Sequence, residues 1–156
     1  MIQVKFYDSA DDARLRFAVI VSRYQNRWVF CKHRERSTYE CPGGHRESGE
    51  TIEDTAKREL WVETGATAFE LTPICAYSVY RGEHGGEESF GMLYFAEIHS
   101  FGALPPLEIE RIELFDGLPE HWTYPEIQPK LLQRVVDLTA APRGGGADQE
   151  NRVPHG

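Results

Sequence analysis

Between Pro42 and Ala66 the chain reads PGGHRESGETIEDTAKRELWVETGA. Glu59 and Glu63 are four residues apart, so on a helix they share one face. Two carboxylates placed this way repel each other by about 0.2–0.5 kcal/mol in an isolated helix. A bound divalent cation reverses the sign. Mg²⁺ takes oxygen ligands, typically one or two carboxylates with waters and substrate phosphate oxygens. The spacing therefore suits a phosphate–metal complex, and a solvated helix face is the plain alternative. Gly43, Gly44 and Gly49 let the approach to the helix bend tightly. Arg58 stands beside Glu59, and an arginine reaching back to Glu50 would fix that loop against the helix.

Taken together, Gly44, five residues, Glu50, seven residues, Arg58-Glu59-Leu60, then Glu63 and Gly65-Ala66 resemble the Nudix box. Two positions depart from that pattern. Ala66 is small where a bulkier aliphatic residue is usual, and Val62 stands where the first of two adjacent Glu belongs. The resemblance implies an α/β fold, a Nudix-type α/β/α sandwich with a mixed β-sheet, extending to about residue 138. It also implies hydrolysis of a nucleoside diphosphate-linked substrate, with water attacking a phosphorus of the bridge. Glu59 and Glu63 would hold Mg²⁺, for which Mn²⁺ is a substitute, and Arg58 and Glu50 would brace the loop–helix unit. Gly44 and Gly65 would serve the backbone geometry, and Gly44 stands with Glu59 and Glu63 in the implied metal set. Val62 leaves either a site with fewer or weaker metals, or replacement by another carboxylate such as Glu47.

The family often adds a carboxylate from a distant loop as base or extra ligand, and Glu87 and Glu88 are the candidates for it. The basic stretch KHRERS offers Arg34 and Arg36 to substrate phosphates, and Arg46 within the box is a third; an ordinary polar hairpin end is the plain reading. Tyr39, Phe90 and Tyr124 are candidates for stacking on a base, although aromatics in a small domain are mostly core. The favoured substrate is a nucleoside triphosphate such as 8-oxo-dGTP, giving nucleoside monophosphate and pyrophosphate. ADP-ribose, dinucleoside polyphosphates and capped RNA ends stay open, because residues outside the box decide among them. A nucleotide-binding module weakened in catalysis, acting as sensor or regulator, is the alternative that Val62 motivates. A purely structural domain is the third.

The elements that must position these residues follow from periodicity. Ile52, Ala56 and Leu60 recur every four residues and mark a helix over 51–64, with Thr51 as N-cap, Asp54 closing a capping box, and Gly65 ending it. Strands are expected over 2–7, 15–22, 28–32, 38–41, 68–80, 90–100 and 109–115, with RYQNR as a hairpin turn and RGEHGGEES as a loop. A second amphipathic helix is expected over 125–138, with Pro129 near its start. Residues 1–140 read as one Nudix domain and 141–156 as a disordered tail.

Composition fits a folded chain. The chain has 156 residues, 40% hydrophobic, which suffices for one core. A net charge of −8 disfavours long nucleic acid and leaves open a small anionic ligand held through divalent cations. Three Cys fit no zinc or disulfide framework, and the six His show no ligand spacing. No stretch approaches the roughly 18 apolar residues of a spanning helix, so a cytoplasmic protein without a membrane partner is expected. No interface signature is visible; a homodimer stays open because small sheet proteins often pair.

Overall fold

The computed structural model describes residues 1–82 and 86–139. The tip of the RGEHGGEES loop and the tail expected over 141–156 lie outside the described residues. The strands are β1 (Ile2–Tyr7), β2 (Leu15–Tyr24), β3 (Arg27–His33), β4 (Tyr39–Glu40), β5 (Gly43–His45), β6 (Ala66–Arg81), β7 (Glu87–Phe101) and β8 (Ile109–Phe115). The helices are α1 (Ile52–Thr64) and α2 (Gln128–Thr139).

All eight strands join one sheet in the order β1-β6-β7-β2-β3-β4, with β5 added on β2 and β8 on β3. The β2–β7 pairing is parallel and the other named ladders are antiparallel, so the sheet is mixed. Alternate residues of β2 and β3 face opposite ways. Val21, Trp28 and Phe30 join Leu131, Leu132 and Val135 of α2 in one core. Ile20 and Val29 join Ala56 and Leu60 of α1 in the other. The molecule is thus a three-layer α/β/α sandwich, as the sequence led us to expect.

Several boundaries differ from the sequence reading. The hairpin between β2 and β3 turns on Gln25 and Asn26, both at positive φ (51° and 68°), so its strands run closer to the turn than expected. Gly43–His45, read as loop, is a strand. Gly43 pairs with Val19, and a side chain there would come within 2.5 Å of the Ala18 carbonyl oxygen. Glycine signals a loop in sequence, but here it permits close backbone approach. Strand β6 continues through Pro73 because the ladder carries a register irregularity between Pro73 and Cys75. The last helix begins at Gln128 rather than Pro125; the preceding turn is tied by Gln128 N donating to Tyr124 O at 3.0 Å. The three cysteines are buried and free. Among the described residues, no helix is long and apolar enough to cross a membrane.

Candidate active site

Helix α1 is fixed at both ends. Asp54 N donates to Thr51 Oγ1 and Thr51 N to Asp54 Oδ2, each at 3.0 Å, which completes the capping box. Gly65 closes the helix at φ 79°, its N–H donating to Trp61 O at 2.8 Å. With Ala56 and Leu60 fully buried, the helix cannot rotate, and Glu59 and Glu63 are turned towards β5. Gly43 N donates to Glu63 Oε1 at 3.1 Å. A Cβ on Gly44 would lie 2.4 Å from the Glu59 carboxylate carbon, so only glycine admits Glu59 at this place.

Arg58 ties the loop to the helix. Its Nε and Nη2 donate to the two oxygens of Glu50, the latter at 2.9 Å. Its Nη1 donates to Glu59 Oε2 at 2.7 Å, and Nη2 also reaches His45 O at 3.0 Å. The guanidinium holds the Glu50 carboxyl down to about 2. Glu47 stands 3.7 Å from Arg58 Nη1 with an exposed side chain.

Of the two remaining carboxylates, Glu59 shares Arg58 with Glu50, and among the described residues Glu63 has no cation beside it. Glu63 is only 9% exposed. Burial pushes its carboxyl up to about 8; the Gly43 N–H opposes this, and the fields of Glu59, Glu40 and Glu108 add to it. Glu59 is also raised, by burial first, against the opposing pull of Arg58. Anionic oxygens crowded into a half-dry site are the donor set that a hard divalent cation stabilises. Among the described residues, no three His, Cys, Asp or Glu side chains converge to hold an ion alone. Two carboxylates completed by waters and substrate phosphate oxygens are nonetheless the coordination usual for Mg²⁺. The residues present fit such an ion.

A cavity of about 360 Å³ opens on the α2 side of the sheet. Gly43, Gly44 and His45 line it, so the strand that contacts Glu59 and Glu63 is also its wall. Tyr77, Val79, Arg81 and Gln128 contribute further lining. Among the aromatics considered from sequence, Tyr124 lines the cavity at 40% exposure. Phe90 is buried beneath Arg14, and Tyr39 packs on Phe115 with its hydroxyl on Glu113.

The structure brings Gly44, Glu47, Glu50, Arg58, Glu59 and Glu63 together and ties the remaining sequence candidates to other partners. Arg34 Nε donates to Leu107 O at 2.8 Å and Arg36 Nη1 to Glu40 Oε1 at 3.1 Å. Arg46 donates to Glu50 O, Asp12 O, Leu15 O and Asp12 Oδ2, which laces the loop to the turn before β2. Glu88 accepts from Ser78 Oγ at 2.6 Å and Tyr7 Oη at 2.9 Å. Glu87 pairs across the β6–β7 ladder with Arg81. Val62 is half-buried. The acids that act on Glu63 from outside the box are Glu40 and Glu108. Neither carries a sequence signal, because strand pairing and the loop before β8 deliver them.

Residues 12–134 match the NUDIX domain family. Over 121 residues the chain is 30% identical to the Bacillus subtilis protein named "Putative 8-oxo-dGTP diphosphatase YtkD", covering 77% of this chain and 74% of that protein. A shorter stretch of 53 residues is 52% identical to an ADP-ribose pyrophosphatase of Bacillus subtilis, covering 34% of this chain but only 29% of that protein. The crystal structure of a mutant of the Bacillus subtilis pyrophosphohydrolase BsRppH shares the fold, with a TM-score of 0.74 at 24% identity over 90% of this chain and 93% of that one. The chain therefore belongs to the NUDIX domain family, as a Nudix pyrophosphohydrolase.

Proposed function

We propose that the protein hydrolyses nucleoside triphosphates, oxidised purine forms such as 8-oxo-dGTP foremost, to nucleoside monophosphate and pyrophosphate, with Mg²⁺ or Mn²⁺. The observation that carries this reading is the pair of desolvated carboxylates, Glu59 and Glu63, packed on glycines that also wall a nucleotide-sized cavity. The relative named for 8-oxo-dGTP supports the substrate choice.

Glu59 and Glu63 would hold the metal, and when bound it supplies charge neutralisation at the polyphosphate and a lowered pKa for the attacking water. Arg58 keeps Glu59 oriented through Oε2, and Gly43 keeps Glu63 oriented through Oε1. Water adds to phosphorus as the bridging P–O bond breaks, and its proton passes to a carboxylate. Glu108 and Glu47, exposed acids whose fields reach Glu59, are the acceptors in reach of solvent.

Val62 favours a second reading, a module that binds nucleotide with little turnover. One screen separates the two: the nucleoside triphosphates, 8-oxo-dGTP, ADP-ribose, a dinucleoside tetraphosphate and a nucleotide sugar, with Mg²⁺ and then Mn²⁺. Glu63→Gln serves as the blank. Turnover above that blank, highest for 8-oxo-dGTP, is the expected result. Silence across the panel with tight nucleotide binding favours the module, and ADP-ribose as the best substrate replaces the triphosphate assignment.

A further inference from the structure

Gln128, the first residue of α2, is 5% exposed and yet lines the cavity. Its side-chain Oε1 accepts from the backbone N–H of Cys41 at 2.8 Å. A backbone N–H can only donate, so the amide oxygen must stand there and the amide nitrogen is the end left over. Among the described residues, Gln128 Nε2 has no hydrogen-bond partner, and it is not sealed off from open space. A buried amide nitrogen with both protons unused, in the wall of a cavity, is a donor waiting for an acceptor on the ligand.

Tyr77, His45, Arg81, Ser89 and Tyr124 also bring side-chain donors to the cavity, and among the described residues Gln128 is the one of these fixed in place by a backbone hydrogen bond. Glu40 lines the cavity too, and its Oε1 accepts from Arg36. Phe17 and Tyr77 present rings, with centroids 5.6 Å apart, and Val79 and Leu131 add aliphatic surface. Cys41, which fixes the amide, is two residues from Gly43, which fixes Glu63. The donor is therefore held in register with the carboxylates.

We propose that Gln128 selects the nucleobase: it favours bases that present a carbonyl oxygen over those that present an amino group, and so 6-oxopurines over 6-aminopurines. This rests on the reading that the cavity receives the base of a nucleotide whose phosphates lie at Glu59 and Glu63. An oxo group accepts from Nε2. An amino group sets donor against donor and leaves the buried nitrogen unpartnered.

The test is kcat/KM of the full chain with Mg²⁺ for ITP and ATP, which differ at the purine 6-position and the N1 proton that follows from it. UTP and CTP form a second oxo/amino pair. One hydrogen bond gained, and one buried donor spared, predict a preference of roughly 10- to 100-fold for ITP. Gln128→Met removes the donor at similar size and should bring the ratio near one; Gln128→Glu presents an acceptor and should reverse it. The wild-type ratios stand even where a variant folds poorly. Equal rates for ITP and ATP, or an ITP preference unchanged in Gln128→Met, overturn the role of Gln128 while leaving the hydrolase reading intact. No turnover of any nucleotide overturns the hydrolase reading, and this proposal, which is stated as a ratio of rates, with it.

Discussion

Glu63→Gln removes a buried charge without removing the acceptor that Gly43 uses. In the folded protein the Glu63 carboxyl is raised from 4.5 to about 8, with burial as the leading cause. A carboxyl whose folded value lies above its unfolded one favours the fold below about pH 4.5, and that contribution is lost as pH rises through about 8. At roughly 1.4 kcal/mol per unit, the metal-free protein loses on the order of 5 kcal/mol across this window. For a domain of this size each kcal/mol moves Tm by about 2–4 °C, so the loss corresponds to on the order of 10 °C. The variant carries a neutral amide at every pH and should escape most of this loss. Thermal unfolding in a chelating buffer from pH 5 to 8.5 reads it directly. Near pH 5 the two proteins should melt together, and at pH 8.5 the variant should melt higher. Mg²⁺ should then raise the wild-type Tm at pH 8.5 and leave the variant nearly unmoved. A wild-type Tm that is flat over this range, or a variant less stable at pH 8.5, would refute the description of Glu63 as an uncompensated buried acid.

Three further outcomes follow from the same geometry. Gly44→Ala would place a methyl 2.4 Å from the Glu59 carboxylate carbon, so turnover should fall by roughly 100-fold or more while circular dichroism stays native. Arg58→Lys cannot reproduce the fork to Glu50 and Glu59; it should cost about 2 kcal/mol, read as a Tm lower by roughly 4–8 °C, and a neutral result would show that the brace contributes little. Val62→Glu adds a carboxylate three residues from Glu59 on α1, and should lower the Mg²⁺ concentration for half-maximal rate. An unchanged or weaker Mg²⁺ dependence would sink the account of Val62 as a missing ligand.

The parts of the site that are local in sequence were legible there. Thr51, Asp54 and Gly65 mark the ends of α1 by their own chemistry, and the spacing of Ile52, Ala56 and Leu60 fixes which face is buried. Glu59 and Glu63 then have one direction left. What depends on strand register was not legible. Gly43–His45 looks like a loop until β2 is present to pair with it. Glu40 and Glu108 reach the acidic cluster from elements far apart in the chain, and no periodicity links them to Glu63. Arg46 shows the converse: its place in the box suggested a phosphate contact, but its donors are turned to Asp12, Leu15 and Glu50. Gln128 was passed over because one amide at a helix start is unremarkable until Cys41 claims its oxygen.

The run from Cys41 to Gly43 has a mechanical meaning. One backbone N–H grips the amide of Gln128 and the other grips Glu63, so the stretch acts as a ruler between the two ends of a bound substrate. Two residues of extended chain span about 7 Å, and neither end can slide without pulling the other. A substrate whose base and scissile phosphate do not match this gauge can bind at one end and still be out of step at the other. Mismatched nucleotides should therefore act as weak inhibitors with depressed kcat, rather than as slower-binding substrates with kcat preserved.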